Sequence, residues 1–203
     1  MTKIDFKKEL KELYSAPAKS PILLEVPELN FLMIDGSGDP NTSAEYRQAI
    51  GALYSLAYGL KFAVKNGPEQ IDFAVMPLEG LWWSEDPEDF TMGRKDKWQW
   101  TAMIMQPKYV TDRLFQEVLQ QTQKRKPNNA LAKVRLAAFK EGLSAQIMYL
   151  GPYSGEGPTI LRLHEFIMDK GHSLAGKHHE IYLGNPERSA PEKLKTIIRQ
   201  PVA

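Results

Sequence analysis

The pattern that most restricts this chain occurs twice. An apolar strand and a glycine turn lead into a helix, and two strands follow that close on Gln-Pro. In the first copy FLMIDGSG precedes a helix and the last strand ends Met105-Gln106-Pro107. In the second IMYLGPYSG precedes a helix and the chain comes to Arg199-Gln200-Pro201. Two β-α-β-β units joined across a pseudo-two-fold axis predict an α+β fold: one antiparallel sheet, helices on one face, and a central ligand cleft on the other. The expected organisation is one domain over residues 1–203, with an N-terminal arm (1–20), a first module with a trailing helix (21–123), a linker KRKPNN (124–129) and a second module (130–203).

Local signals fill in this plan. Tyr46, Ile50, Leu53, Leu56, Leu60 and Val64 recur every three to four residues, which predicts a helix from Ala44 to Val64. Asn41, Thr42 or Ser43 can cap its start, and Asn66-Gly67-Pro68 ends it. The arm reads as a short helix from Asp5 to Tyr14. Ile71 to Trp83 reads as one strand with irregularities at Pro77 and Gly80. Lys97 to Gln106 alternates so that Trp98, Trp100, Ala102 and Ile104 share a face. Val134–Phe139 and Leu143–Leu150 read as a hairpin turned at Glu141-Gly142. Lys177–Leu183 and Lys193–Val202 are the last two strands.

Composition excludes several classes of function. The formal net charge is +1, so no overall field draws the chain to nucleic acid or to a membrane. Cysteine is absent, which removes disulfides, thiol catalysis and cysteine zinc sites and fits a reducing compartment. No apolar run approaches the roughly 20 residues of a membrane span. The charged start MTKIDFKKELKELY lacks the apolar core of a signal peptide, so a cytoplasmic location is expected. His178 and His179 point to opposite strand faces and do not ligate one ion together; no metal and no cofactor are expected.

One carboxylate stands out. Glu180 lies mid-strand in HHEIYL, sharing a face with His178 and Tyr182, while His179, Ile181 and Leu183 share the other. With Ile181 and Leu183 packed on helices, Glu180 looks out over the opposite surface of the sheet. Most strand carboxylates are solvated or paired across the ladder. Here, however, Trp82, Trp83, Trp98 and Trp100 fall within a short span, and Tyr149, Tyr153 and Tyr182 belong to the second half. These residues and Met103 are the candidate lining of a pocket around Glu180. An acid in an aromatic cage can hold a flat organic cation. It can also act as a general base on water, with a tyrosine hydroxyl donating to the charge that develops on the leaving side. The residues do not choose between these chemistries.

FLMIDGSGDP, PLEGLWW, WQWTAMIMQP, EGLSAQIMYLGPYSGEGP and HHEIYLGNPERSAPEKLKTIIRQPV together resemble the GyrI-like small-molecule-binding proteins, in the form without a DNA-binding domain. The resemblance runs from about Phe6 to Val202. It implies a duplicated β-α-β-β (SHS2) fold, a ligand-binding acid at Glu180, and a pocket tyrosine, Tyr153, on the turn Gly151-Pro152-Tyr153. Tyr149 stands where relatives often have His. Some members are similar to hydrolases that open the strained cyclopropane of spirocyclopropyl DNA-alkylating compounds, with the Glu and the pocket aromatics acting on the ring-opening water. Detoxification and drug resistance would follow, with Glu180 and Tyr153 as the catalytic pair. The alternative is a protein, monomer or homodimer, that binds or senses aromatic or cationic molecules without turnover. A third reading, from the family name, is contact with DNA gyrase.

Overall fold

The structure, a computed structural model, describes residues 1–86, 88–89, 93–186 and 188–203. It is mixed α+β, with antiparallel strands and helices, and it divides into two compact units. The first comprises Met1–Glu9, Leu29–Met76 and Trp83–Phe139; the second comprises Leu10–Glu28, Pro77–Trp82 and Lys140–Ala203.

In the first unit the long helix is α3, Ala44–Asn66. Two short helical turns precede it in the chain, α1 (Phe6–Glu9) and α2 (Lys11–Tyr14). The Ser43 hydroxyl accepts a hydrogen bond from the Tyr46 amide at 3.2 Å and so satisfies one of the helix's unpaired first-turn donors. Ala49, Ala52, Leu53, Leu56, Ala57, Leu60 and Val64 are all buried, which is the core stripe that their spacing predicts. Helix α4 (Asp112–Arg125) packs beside α3 and is capped by the Thr111 hydroxyl. Strand β1 (Thr2–Ile4) runs parallel to β3 (Ile71–Phe73), so the arm begins with a short strand ahead of the helical turns.

Strand β2 is Ile22–Ser37, and its Asn30–Ser37 half pairs antiparallel with β5, Gln99–Gln106. Gly36 lies opposite Trp100 in this ladder. A Cβ at Gly36 would collide with the Trp100 indole. Trp100 is fully buried and meets Tyr46 edge-on, with ring centroids 5.0 Å apart. Gly36→Ala is therefore expected to lower stability by about 1–3 kcal/mol through overpacking. Thermal unfolding checks this; an unchanged midpoint would mean that the indole has room to move.

In the second unit antiparallel strands follow one another in the order β4-β7-β8-β6, where β4 is Leu78–Trp83 (to Trp82 in this unit), β7 is His178–Tyr182, β8 is Lys195–Pro201 and β6 is Arg135–Leu150 (from Lys140 in this unit). Two sequence expectations give way here. Ile71–Trp83 is two strands, because β3 finds its partner in β1 and the chain resumes pairing only after Pro77. The expected hairpin at Glu141-Gly142 is one continuous strand. Gly142 takes φ +77°, but the chain does not reverse: Ser144–Leu150 pair with Pro201–Lys195, and the Glu141 carboxylate is drawn into a buried ion cluster. A Gly in left-handed conformation kinks a strand as readily as it turns a hairpin.

A third difference decides where the candidate acid sits. Helix α5, Gly157–Asp169, packs Leu163 and Ile167 against Ala145, Ile147 and Ile198. Ile198 is the register partner of Glu180. Paired residues of a ladder point to the same face, so α5 covers the Glu180 face and not the Ile181 face. The Ile181 face is closed instead by α2 and the residues around it, through polar contacts described below. Leu183 lies beyond the end of β7.

Candidate ligand site

Glu180 sits at the centre of β7, with Gly80 opposite it on β4 and Ile198 opposite it on β8. Its side chain is 14% exposed. His178, two residues earlier and on the same face, places Nε2 3.1 Å from Glu180 Oε1; the His178 side chain is 5% exposed. A carboxylate only accepts, so this hydrogen bond requires the hydrogen on Nε2.

Trp82 lies opposite His178, and Tyr182 lies opposite Leu78. The register runs unbroken from Leu78 to Trp82, which puts Trp82 on the face of Glu180 and Trp83 on the other side of the strand. The Trp82 indole leans back along β4 and donates Nε1–H to the Tyr182 hydroxyl at 3.0 Å. That bond crosses above the Gly80–Glu180 pair. Gly80 makes it possible, since a Cβ there would lie 2.6 Å from Trp82 Nε1. Tyr153, 38% exposed, sets its ring edge-on to Tyr182 with centroids 5.5 Å apart. The Tyr149 hydroxyl donates to the Pro152 carbonyl at 2.9 Å and braces the Gly-Pro-Tyr turn that carries Tyr153. Burial and the charge of Glu156 both push the Tyr149 phenol above its usual range.

Five expected residues thus come together: Glu180, Trp82, Tyr182, Tyr153 and, bracing the turn, Tyr149. Trp83, Trp98, Trp100 and Met103 belong to the first unit. There Trp100 and Met103 are fully buried, and Trp98 precedes β5 with Lys95 Nζ 5.3 Å from its ring centroid. A polar groove of about 390 Å³ in that unit, lined by Gln48, Gly51, Ser55 and Lys126–Asn129, offers neither an acid nor an aromatic cage. Among the described residues no group of three or more His, Asp or Glu is placed to hold a metal ion. No helix among them is long and apolar enough to cross a membrane.

Sequence reasoning missed two features. His164 on α5 has its pKa lowered, first by burial and then by the charge of His178, so the two imidazoles lie within electrostatic reach of each other. Its spacing on the helix resembles that of any core-facing position. The second feature is a buried ion cluster on the opposite face of β7. His179 Nε2 lies 3.0 Å from Glu79 Oε2, and His179 Nδ1 lies 2.9 Å from Glu141 Oε1. Both ring nitrogens face carboxylates, so both must donate and the ring is an imidazolium. Burial alone would lower the His179 pKa, but the Glu141 charge and the hydrogen bonds to Glu141 and Glu79 overcome it and raise the value to about 9. Arg199 joins with Nη1 3.2 Å from Glu141 Oε2 and Nη2 2.9 Å from Gln146 Oε1. Two carboxylates thereby face two cations. The cluster also clamps the segment around α2: Tyr14 donates to Glu79 at 2.7 Å, Arg199 to the Leu13 carbonyl at 2.6 Å and Gln146 to the Glu12 carbonyl at 2.8 Å.

A sheet that presents a mostly buried acid among tryptophan and tyrosine side chains has the chemistry of a small-molecule pocket. The model of the GyrI-like small molecule binding domain matches residues 19–203, and the chain belongs to that family. It is similar to an uncharacterized conserved protein from Listeria innocua, with 41% identity and a TM-score of 0.90 over 98% of this chain and 100% of that one. It is also similar to a hydrolase from Listeria innocua, with 40% identity and a TM-score of 0.86 over 98% of this chain and 100% of that one. A further Listeria innocua hydrolase structure aligns over 100% of both chains, with 41% identity and a TM-score of 0.87. No curated protein matches the sequence.

Proposed function

We propose that this protein hydrolyses the cyclopropane ring of spirocyclopropyl DNA-alkylating compounds, and that Glu180 is the base. The observation that carries the reading is the Glu180 carboxylate, mostly withdrawn from solvent and spanned by the Trp82–Tyr182 hydrogen bond. Similarity at 40% identity to a chain named as a hydrolase supports turnover over simple binding.

In the reaction Glu180 orients a water and takes one of its protons. The water oxygen forms a bond to the ring methylene as the cyclopropane C–C bond breaks. The electron pair of that bond moves into the conjugated ring, whose carbonyl oxygen becomes a phenolate. A tyrosine hydroxyl, Tyr153 in this reading, donates to that oxygen. The proton held by Glu180 then returns to the tyrosine through solvent, and the net change is the addition of one water. The planar aromatic body of the substrate rests on Trp82 and Tyr182. The protein works in the cytoplasm, takes no cofactor, and protects the cell by detoxification.

The alternative is a non-catalytic binder of flat organic cations, which the same acid and aromatics would favour. Mass spectrometry of a spirocyclopropyl indole alkylator incubated with the protein separates the two. Catalytic gain of one water is expected. No gain, with tryptophan fluorescence still quenched by the compound, would leave a binding protein; no gain and no quenching would overturn the assigned ligand class.

A further inference from the structure

We propose that His178 is the positioning residue for Glu180: its Nε2–H holds Oε1 so that Oε2 is the oxygen presented to the ligand. The inference rests on the reading of Glu180 as the acid that meets the ligand, and it adds a residue which that reading does not use.

The two side chains sit at alternate positions of one strand and share a face, with Nε2 3.1 Å from Oε1. The imidazole is the more deeply buried of the pair, 5% exposed against 14% for Glu180, so the carboxylate is the more accessible of the two to a ligand. A carboxylate on a two-torsion stem has no fixed orientation of its own. A hydrogen bond at a single oxygen restricts the rotation of the group and differentiates its two oxygens. Among the described residues, ladder register and packing bring the following groups toward the pair. Strand β4 brings Gly80 and Trp82, with no titratable group, and β8 brings Thr196 and Ile198. Helix α5 brings His164, and β7 itself brings the Tyr182 hydroxyl. No second cation from β4 or β8 competes for Glu180 on this face at these register positions, so the orientation falls to His178.

Two substitutions test this. Glutamine can place its amide N–H near the position of histidine Nε2, whereas leucine keeps volume and loses the donor. His178→Leu is expected to lower kcat on the order of 100-fold, with KM changed by no more than about twofold, because misplacing a reacting group by about 1 Å costs that much. His178→Gln is expected to recover most of the loss. Equal loss in both variants, or loss carried by KM, would overturn the positioning role. A second measurement is independent of turnover: ¹⁵N NMR of the histidine side chains in the wild-type chain and in Glu180→Leu, which removes the acceptor. Nε2 of His178 is expected to carry the hydrogen and to shift when the acceptor is removed. A bare Nε2, or one unmoved by Glu180→Leu, would overturn the proposal even in an active enzyme. The expected shift in a protein that shows no turnover would instead retain the pairing and reject the hydrolase reading.

Discussion

Glu180→Gln is expected to slow ring opening by about 100- to 10,000-fold, the usual contribution of a positioned general base, while leaving the fold intact. Glutamine keeps the size of the side chain and can still accept from His178, so the packing around Gly80 and Ile198 should not change. It cannot take a proton from water. The loss should therefore fall on kcat, with tryptophan quenching by a neutral substrate analogue preserved. If the protein is instead a cation binder, the same variant shows its effect in affinity for organic cations and none for neutral aromatics. Equal rates in wild type and variant would keep an enzyme but remove Glu180 from its chemistry.

The second large effect concerns stability. Glu141→Ala is expected to destabilise the protein by about 3–5 kcal/mol, because it leaves the His179 imidazolium and the Arg199 guanidinium buried without their shared carboxylate. For a chain of this size that is a fall in melting temperature on the order of 10 °C. The cluster also fixes the pH dependence. His179 is raised from 6.5 to about 9. A group whose pKa is higher folded than unfolded stabilises fully below the unfolded value, and that contribution, about 3 kcal/mol here, is lost as pH rises from about 6.5 through about 9. Glu141 behaves in the opposite sense. Burial raises its pKa, but the charges and hydrogen bonds of His179 and Arg199 outweigh it and hold the group below its usual value. Its contribution is present at neutral pH and is lost as the solution is acidified. Thermal midpoints measured from pH 6 to pH 10 should fall on the alkaline side, and His179→Gln should flatten that limb. A wild-type midpoint that holds to pH 10 would show that the His179 proton does not support the fold.

Much of the fold could be read in the chain because its signals are local. The apolar stripe of α3, its cap at Ser43, and the alternation that puts Glu180 with His178 and Tyr182 all depend on residues within a few positions of one another. The Trp82 side of β4 was ambiguous for a definite reason. Gly80 is compatible with a bulge or with a close approach, and only the ladder to β7 shows that the chain runs straight and the indole fills the space above the glycine. The buried ion cluster was hidden for another reason. Glu79, Glu141, His179 and Arg199 lie on four different strands, and each alone looks like an ordinary strand residue; their charges balance only when the strands are placed side by side.

Residue order alone dictates which side chains share a face, because a strand alternates and a helix repeats every 3.6 residues whatever surrounds it. It also determined the family, through long stretches whose order survives in the match over residues 19–203. Tertiary structure decided which face each element covers. Alternation is blind to that choice, and it is settled by where α5 finds apolar partners, at Ile147 and Ile198, and by where the cations His179 and Arg199 find carboxylates. The same packing energy that buries α5 against Ile198 places Glu180 on a helix-covered face beside His178 rather than on an open sheet.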